Sequence, residues 1–459
     1  MMKKTIIWLK NDLRLSDNGA LNHAYKNGSE ILFLYILDES ESIGSASKWF
    51  LYKALKSLKK DIKQKYNADL LIRSGNAKSI LEEIAKKYDV DSIVWNMVYE
   101  PDAIKRDAKI KEYFQQMNLE VKTFNSSLLF EPSQIQNLSG SYFKVFTPFW
   151  KKCLNQISHI ESPHKIPKSL NPVKINEGEK LDLKDLDLLP KKPNWAKNWN
   201  NLYKVSEEEA HNLAEEFMNN RMLNYKEGRN FPATNNTSFL SPYLHFGLIS
   251  PKQIYFKSMI FSGNAGLNHF LSEIGWREFS YHLLFHFPEL PNKNFKSKFD
   301  NFSWENNKED LEKWQKGITG FPLIDAGMRQ LWKTGWMHNR VRMVVASFLN
   351  KNLLIDWRIG QEWFWDCLVD ANLAANSASW QWVAGSGADA APYFRIFNPI
   401  TQSQKFDPNG EYIRKWVPEI THLSDKEIHC PVHRDKYPEA MIDLKFSRNR
   451  ALAMYKKIS

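Results

Sequence analysis

Ile31-Leu-Phe-Leu-Tyr-Ile-Leu37 is a continuous apolar run, and its length and composition are typical of a strand that is buried on both faces. A shorter run of the same character, Thr5-Ile-Ile-Trp8, precedes it. The segment from Ser47 to Lys65 then places leucine and isoleucine on one helical stripe and lysine on the other. Buried strands that alternate with amphipathic helices predict a parallel sheet with right-handed crossovers and helices on both faces.

This alternation continues to the end of the first third of the chain. It predicts further strands at Asp69–Ile72, Ser92–Asn96 and Glu120–Phe124, and further helices at Asn76–Tyr88 and Pro101–Met117. Residues 1–130 are therefore predicted to form an α/β domain of the Rossmann or flavodoxin-like type. Such sheets place ligands beyond the carboxyl ends of their strands, but no Gly-x-Gly-x-x-Gly or Walker sequence marks a phosphate site here.

Regular periodicity stops over residues 131–204, where proline recurs among lysine, asparagine and aspartate, which predicts a long interdomain connector. Residues 205–459 are predicted to form an all-α domain. Helix starts are expected at Ser206, as a capping box with Glu209, and at Ser241 and Ser250, each followed by proline at the first helical position. Longer helical patterns cover Leu267–Phe287, Pro322–Lys333, Met337–Leu349 and Gln361–Val369.

The chain of 459 residues carries a formal charge of +11, and it contains 17 tryptophans but only 3 cysteines. The basic excess fits a polyanionic partner such as nucleic acid or an acidic membrane surface, although generic surface lysine explains it as well. Cys153, Cys367 and Cys430 have no metal-ligand spacing, which favours a reducing compartment without disulfides or a zinc site. The apolar runs fall short of the roughly 20 residues of a membrane span, so we expect a cytoplasmic protein.

Hydroxyl-bearing residues precede one of the predicted helix starts. Tyr225-Lys-Glu-Gly-Arg229 is followed by the loop Thr237-Ser-Phe-Leu-Ser241, which leads into Pro242. Hydroxyls and free amides at a helix N-terminus suit a pyrophosphate, because the helix dipole and the unpaired donors both favour an anion. Helix capping alone explains the same residues, so both interpretations stand for this segment by itself.

Charged and aromatic residues also recur at helical spacing. Glu273, Trp276 and Arg277 fall on roughly one helical face, where they suit either the recognition of an extruded base or ordinary packing beside a surface ion pair. Arg342 and Asp370 are candidates for a buried ion pair, unless the arginine is simply solvated. The segment that follows Asp370 is rich in small residues and amides, which allow the approach of a flat ligand or a tight helix contact.

A series of spaced motifs runs through the C-terminal half. In order, the motifs are Gly320-Phe-Pro-Leu-Ile-Asp-Ala-Gly-Met-Arg-Gln330, Gly335-Trp-Met-His-Asn-Arg340, Asp356-Trp-Arg358, Trp380-Gln-Trp382 and Asp389-Ala-Ala-Pro-Tyr-Phe-Arg-Ile-Phe-Asn-Pro399. With these motifs the chain resembles the photolyase/cryptochrome family, and most of all the bacterial class I cyclobutane pyrimidine dimer photolyases. The resemblance covers essentially the whole chain and is strongest from about Tyr225 to Asp407. It implies an α/β antenna domain followed by an all-α domain that binds FAD.

The resemblance also implies roles for individual residues. The flavin is held by Tyr225, Thr237, Ser238, Phe239, Leu240 and Ser241 at its phosphate side and by Arg342, Asp370, Ala371, Asn372 and Asn376 at its isoalloxazine, with Asn376 beside N5. The pocket for the flipped dimer consists of Glu273, Trp276, Asn339, Met343 and Trp382, and the surrounding DNA is contacted by Arg229, Arg277, Arg340 and Gln402. UV-damaged DNA is the implied partner, the protein is expected to be a monomer, and no metal is implied.

The implied reaction is driven by light. Excited, fully reduced FAD gives an electron to the dimer, the cyclobutane bonds split and the electron returns, while Glu273 stabilises the dimer radical anion by hydrogen bonding. Trp304, Trp357 and Trp380 match the family's photoreduction chain, from Trp304 at the surface to Trp380 near the flavin. A second chromophore, which is methenyltetrahydrofolate, a deazaflavin or another flavin in relatives, is expected in the N-terminal domain, with Glu100 at a strand end as a candidate contact.

Other members of the family, and one other class of protein, are the alternatives. A (6-4) photolyase typically has two histidines where this chain has Asn339 and Met343, and DASH-type cryptochromes usually lack the indole of Trp382. A signalling cryptochrome often differs at Asn376 and extends beyond the position of Ser459. A basic nucleic-acid-binding module without flavin would be colourless.

Two positions depart from the family pattern. Asn372 stands where many relatives carry a second aspartate, which removes a charge near the flavin. Phe270 stands where some relatives carry tryptophan at the flavin pocket. Neither position belongs to the set that is expected to contact the dimer.

Overall fold

The N-terminal part of the chain is a parallel β-sheet flanked by helices, in a computed structural model that describes residues 2–176, 178, 181–390, 394–432 and 436–458. The main strands are β1 Lys4–Leu9, β2 Glu30–Asp38, β3 Leu70–Gly75, β4 Ser92–Asn96 and β5 Glu120–Phe124. Their order is β3-β2-β1-β4-β5 with parallel neighbours, and the short β6 (Asn171–Pro172) pairs with β2. This topology confirms the predicted α/β fold.

Helices connect these strands. They are α1 Gly19–Lys26, α2 Ser45–Tyr66, α3 Ala77–Tyr88 and α4 Pro101–Gln116. The last three match predicted helices, whereas α1 is absent from the sequence-based prediction. Its 8 residues span little more than two turns, which is too short for a helical period to be recognised in the sequence. Its start depends on the side chain of Asn18, which accepts from Leu21 N.

The segment 131–204 contains a helix that the sequence analysis did not predict, α5 Phe146–Gln156. Its buried residues Phe146, Phe149, Trp150 and Cys153 do follow helical spacing, but they lie within a segment whose overall composition is that of a connector. The Trp150 ring packs against Gly275, where an added Cβ would lie 2.6 Å from the indole. This part of the segment is therefore packed into the helical domain.

Beyond residue 204 the described chain is helical, which confirms the predicted all-α domain. Its helices are α6 Glu207–Asn220, α7 Tyr225–Gly228, α8 Ser241–His245, α9 Pro251–Ser258, α10 Ala265–His286, α11 Lys308–Lys316, α12 Pro322–Thr334, α13 Asn339–Ser347, α14 Trp357–Cys367, α15 Leu373–Ala384, α16 Pro399–Phe406, α17 Glu411–Trp416 and α18 Leu444–Lys457. Within the motif Asp389–Pro399, Ala391, Pro392 and Tyr393 lie outside the described residues, as does Ser459.

Most helix starts follow the predicted serines. Ser206 and Ser250 cap α6 and α9 as predicted. Of the capping box predicted for Ser206 and Glu209, only the bond from Glu209 N to the Ser206 hydroxyl is present. The prediction of Ser241 as an N-cap is wrong, because Leu240 occupies that position and Ser241 is the first helical residue. The Ser241 hydroxyl instead donates to Asp370 Oδ2, 2.6 Å away, so a tertiary contact replaces the local cap.

Two of the longer helical patterns are displaced from the observed helices. The pattern from Met337 yields α13, which starts at Asn339 because the His338 ring accepts from a backbone amide and caps the helix. This helix then widens into a buried π-helical turn at Phe348–Asn352. Helix α14 starts before the predicted residue because Asp356 caps it.

The two domains meet along α10 and the ends of the β-strands. The fully buried Arg14 donates to the carbonyls of Gly247 and Ser126, at 2.8 and 2.7 Å. From the opposite side, Glu278 of α10 accepts a hydrogen bond from Leu129 N at 3.0 Å. The Glu278 bond fixes α10 against the N-terminal domain, and the bond from Arg14 to Gly247 fixes the turn between α8 and α9 there. Helix α10 carries part of the site described below.

Two other kinds of feature are absent from the described residues. No helix among them has the length and apolar character to cross a membrane. No three of their histidine, cysteine, aspartate or glutamate side chains cluster as metal ligands would. The cysteines Cys153, Cys367 and Cys430 are free thiols.

Candidate active site

A cavity of about 310 Å³ lies between α10, α13 and α15. Residues of the predicted flavin set in its wall are Tyr225, Ser238, Ser241, Arg342, Asp370, Ala371, Asn372 and Asn376. From the other predicted sets, the wall includes Glu273, Arg277, Asn339, Met343 and Trp380. The fold thus brings most of the predicted flavin residues and part of the predicted dimer pocket to a single cavity.

Arg342 and Asp370 form the ion pair that the sequence suggested, with Nη2 2.9 Å from Oδ2. The Asp370 side chain is only 3% exposed, and it also accepts the hydrogen bond from Ser241. Arg342 Nε donates to the Met337 carbonyl at 2.7 Å. Because each charged group has a second partner, the guanidinium is held in one orientation in the wall.

The loop before α8 contributes unevenly to the cavity. Ser238 lines the wall, whereas the predicted flavin contacts Thr237, Phe239 and Leu240 are not among the wall residues. Phe239 has a positive φ of 54° and turns its ring towards Trp336, 4.8 Å between centroids. Thr237 Oγ1 is buried without a hydrogen-bond partner, as a hydroxyl near an absent polar ligand would be.

Two amides lie at the start of α15. Asn372 caps this helix and donates from Nδ2 to the Tyr281 hydroxyl at 2.5 Å, which an aspartate carboxylate could not do. Asn376 Nδ2 donates to the Gln361 carbonyl at 3.0 Å. Phe270, the second departure from the family pattern, also lines the cavity. Both departures therefore alter the wall itself.

An arginine holds Glu273 at one end of the cavity. Arg229 donates from Nη2 to Oε2 at 3.0 Å and from Nη1 to Oε1, which makes the pair bidentate. Arg229 Nη1 also lies 3.1 Å from Nε2 of His269. The side chains of Arg229 and Glu273 are 14% and 30% exposed, so the pair is partly open to solvent.

Arg277 faces inwards, although the resemblance implied a contact with DNA phosphate. Its Nη1 donates to the Ser127 carbonyl of the N-terminal domain at 2.7 Å. Its guanidinium lies 4.9 Å from the centroid of the Tyr281 ring, and its side chain is 14% exposed. In this position Arg277 joins the two domains beside the cavity.

Trp276 and Trp382 of the predicted lesion pocket, and the predicted DNA contact Gln402, are not among the wall residues. Trp276 is stacked on Phe146 with ring centroids 4.0 Å apart. Trp382 donates from Nε1 to the Asp389 carbonyl at 3.1 Å. Gln402 is half-buried on α16. Their placement reflects packing between helices that the sequence alone does not describe.

Arginines form a positive cluster near Glu273. Arg340 donates from Nη2 to Asn230 Oδ1 at 2.5 Å, and its guanidinium lies 4.3 Å from the Phe406 ring centroid. Burial lowers the pKa of Arg340, and the charges of Arg229 and Arg395 lower it further. Arg395 thus belongs to the cluster although it was not predicted as a site residue. Its place within the last quoted motif was the available signal.

The three tryptophans of the predicted photoreduction chain have different surroundings. Trp380 lines the cavity, and its ring lies 4.9 Å from that of Phe364 and against Gly360. Trp357 is fully buried, whereas Trp304 is partly exposed. Only Trp380 of the three lies in the cavity wall.

Several wall residues belong to none of the sets predicted from the sequence. His245 lines the cavity, its Nδ1 has no hydrogen-bond partner, and burial lowers its pKa to about 4, so the ring is neutral at physiological pH. The apolar residues Leu244, Phe364 and Val383 complete much of the wall. Single apolar residues in helices carry no sequence signal for a ligand, because ordinary core positions look the same.

The residues present fit a dinucleotide flavin. Apolar side chains and small residues suit a flat ring system, and the fixed Arg342 guanidinium with nearby amides suits its polar edge. Ser238, Ser241 and the unpaired Thr237 hydroxyl lie where α8 begins, which suits phosphates. Both the hydrophobic and the polar requirements of FAD are therefore met within one site.

Comparisons with known proteins agree with this assignment. A family model described as "FAD binding domain of DNA photolyase" matches residues 270–457, and one described as "DNA photolyase" matches residues 5–169. A deoxyribodipyrimidine photo-lyase of Agrobacterium fabrum is 44% identical, over 98% of this chain and 97% of its own length. Cryptochrome-2 of Arabidopsis thaliana is 34% identical, over 94% of this chain and 73% of its own length.

A solved structure is similar over the whole molecule. The crystal structure of a bacterial class III photolyase from Agrobacterium tumefaciens has a TM-score of 0.95 and 42% identity, and the match covers 100% of this chain and 98% of that chain. The motifs had suggested the class I branch, so the likeness extends beyond that branch. With an FAD-binding domain matched on one half and a full-length fold shared with a photolyase, the chain belongs to the photolyase/cryptochrome family.

Proposed function

We propose that this protein uses FAD and light to repair cyclobutane pyrimidine dimers in DNA. The observation that carries this proposal is the shared wall, in which Glu273, Asn339 and Met343 face the same cavity as Arg342 and Asn376. A lesion within a duplex reaches such a cavity only if it is turned out of the base stack, which is the general solution for enzymes that act on a base, photolyases among them.

The chain's own residues bind the flavin, orient the extruded pyrimidine and shield both from water. When bound, FAD supplies the electron transfer that opens the cyclobutane ring. The Arg342 guanidinium, fixed by its pair with Asp370, would hold the flavin and supply a positive charge in the cavity wall. Glu273 and Asn339 offer hydrogen-bonding groups to the edge of an extruded pyrimidine. Apolar residues such as Phe364 exclude water from the reacting groups.

The arginine cluster supports DNA as the partner. Arg229, Arg340 and Arg395 lie close enough for their charges to interact, and Glu273 neutralises only the first of them by a direct pair. A group of like charges beside a cavity attracts a polyanion, because phosphate contact releases condensed counterions. We infer that these arginines contact the phosphates on either side of the lesion.

Particular residues favour this reaction over its alternatives within the family. Asn339 and Met343 occupy positions at which (6-4) photolyases typically carry histidines. Identity of 42% over the full chain to a class III photolyase favours that branch over class I. A cryptochrome-type photoreceptor is the second candidate, favoured by the 34% identity to Arabidopsis cryptochrome-2.

A second chromophore, bound near the N-terminal domain, is part of the proposal. The sequence-based candidate Glu100 is the N-cap residue of α4, and burial raises the pKa of its carboxyl. A carboxyl in these surroundings suits a hydrogen bond to a neutral heterocycle. The absorption spectrum of the purified protein would reveal a folate or deazaflavin beside FAD.

Light-dependent dimer reversal tests the proposed function. Protein with reduced FAD is mixed with an oligonucleotide that contains one cyclobutane dimer, and the remaining dimer is measured under blue light and in the dark. We expect the cyclobutane dimer to be lost under blue light and to remain in the dark. An oligonucleotide with a (6-4) photoproduct is the matched substrate control, and restoration of that lesion instead, or of neither, would contradict the proposal.

A further inference from the structure

Arg229 has two acceptors on one face of α10. It binds Glu273 through both terminal nitrogens, and its Nη1 also lies 3.1 Å from Nε2 of His269. His269 and Glu273 are four residues apart and therefore neighbours on the helix surface. One guanidinium thus bridges a carboxylate of the lesion site and an imidazole to which no role has been assigned.

This geometry determines the protonation state of His269. Guanidinium nitrogens only donate hydrogen bonds, so Nε2 must carry a lone pair and the ring must be the neutral tautomer with its proton on Nδ1. Burial lowers the pKa of His269, and the charge of Arg229 lowers it further. Lys226 acts in the same direction, whereas Glu273 and Glu227 oppose it.

We propose that His269 is a positioning residue for lesion recognition, whose neutral ring holds Arg229 in place while Glu273 turns to the extruded base. The proposal rests on the proposed function. Both carboxylate oxygens of Glu273 accept from Arg229, so a Glu273 side chain that turns towards the base releases at least one of these two N–H groups. His269 still accepts from Arg229 Nη1 when Glu273 turns, so this nitrogen keeps a partner and the guanidinium keeps its position.

Protonation of His269 reverses this effect. Two cations would then face each other across 3.1 Å, and the imidazolium would compete for Glu273. Arg229 is displaced or Glu273 is sequestered, and either change weakens recognition of the lesion. The added positive charge strengthens nonspecific attraction to DNA at the same time. The ratio of affinities for dimer-containing and undamaged DNA therefore falls as the pH falls through the pKa of His269.

The test measures this affinity ratio for the FAD-loaded protein between about pH 8 and about pH 4.5, a range that includes the ordinary histidine pKa. The variants are His269→Gln, whose carbonyl oxygen accepts without titrating, and His269→Leu, which removes the acceptor. We expect the wild-type ratio to fall with pH, the glutamine variant to keep a high and flat ratio, and the leucine variant to lose roughly three- to tenfold at every pH. In an Arg229→Gln background, His269→Leu should have no further effect.

Three results would overturn the role of His269. These are a leucine variant with the wild-type ratio at pH 8, a glutamine variant with the same pH-dependent fall as wild type, and an undiminished effect of His269→Leu in the Arg229→Gln background. Flavin absorbance and thermal unfolding would reveal whether His269→Leu folds. If it does not fold, the pH dependence of the affinity ratio in wild type and in His269→Gln still tests the role of His269. A wild-type protein without any preference for dimer DNA at pH 8 would instead overturn the proposed function.

Discussion

Arg342 and Asp370 lie 28 residues apart in the chain, and the fold joins them at 2.9 Å in the cavity wall. Asp370 is 3% exposed and Arg342 24%, so the aspartate is the more deeply buried partner. A pair of this kind contributes little net stability while it is complete, but removal of one partner leaves an uncompensated charge. The cavity wall is therefore sensitive to single changes at this pair.

Asp370→Asn should destabilise the protein and weaken FAD binding, because the Arg342 guanidinium loses its counterion. We expect the free energy of unfolding to fall by about 3 kcal/mol in a denaturant titration. The control Glu289→Gln removes an exposed pair with Lys293 and should cost under about 0.5 kcal/mol. If both variants lost the same free energy of unfolding, the loss in Asp370→Asn would not be due to the Arg342–Asp370 pair.

Glu273→Gln should lower the number of dimers repaired per absorbed photon more than it lowers affinity for dimer-containing DNA. A neutral amide forms a weaker hydrogen bond to the lesion than a charged or acidic group does. Photon yield under blue light and binding by fluorescence anisotropy separate the two quantities. An unchanged number of dimers repaired per photon in this variant would rule out a role for Glu273 in the reaction.

Trp380→Phe should slow the light-driven reduction of oxidised flavin by an external thiol, because this indole is the one in the cavity wall. Dimer repair by chemically reduced enzyme should be affected much less. Flavin absorbance under blue light measures the rate of flavin reduction. The control is Trp416→Phe, which changes a partly buried indole of the same apolar cluster. Similar slowing in both variants would contradict a specific role for Trp380.

Glu278→Gln should remove a pH dependence of stability. Burial raises the pKa of Glu278 from 4.5 to about 7, so the folded protein binds this proton more tightly than the unfolded chain. Between these values the stability of the wild type falls as the pH rises, by up to about 3 kcal/mol. The glutamine variant, whose carbonyl oxygen can still accept from Leu129 N, should gain stability at pH 8 relative to pH 5 when compared with wild type. An unchanged difference between the two pH values would contradict the prediction.

Arg340→Gln should reduce the salt dependence of DNA binding. Each phosphate contact contributes about one unit to the slope of log affinity against log salt concentration. Titrations at several salt concentrations measure this slope. The control Arg450→Gln alters an arginine paired with Glu305, outside the positive cluster, and should leave the slope unchanged. A wild-type slope in Arg340→Gln would exclude a phosphate contact by this residue.

Secondary structure followed from local patterns where these were long. The apolar run of β2 and the amphipathic stripe of α2 each extend over enough residues for their period to be recognised. Helix α1 is too short for a period, and α5 lies in a proline-rich segment, so neither was predicted. Capping at Ser241 failed because a partner 129 residues away competes for its hydroxyl.

Site residues that belong to family motifs could be predicted from the sequence. Residues whose position depends on packing between distant segments could not. Tyr225 and Asn376, which the resemblance names as flavin contacts, line the cavity. Arg277 faces Ser127 because α10 packs against the N-terminal domain, and Arg395 joins the positive cluster because α13 and the segment before α16 meet. Neither placement has a counterpart in local periodicity or composition.

Sequence periodicity was sufficient for the parallel sheet and the helical second domain, and ordered motifs were sufficient for the family, because both depend on residues near one another in the chain. Three-dimensional packing alone placed Arg229 between Glu273 and His269 and buried Asp370 beside Arg342. Hydrogen bonds and charge pairs act over a few ångströms and depend on burial. Their strength therefore follows from distances in the folded chain, which separation along the sequence does not reveal.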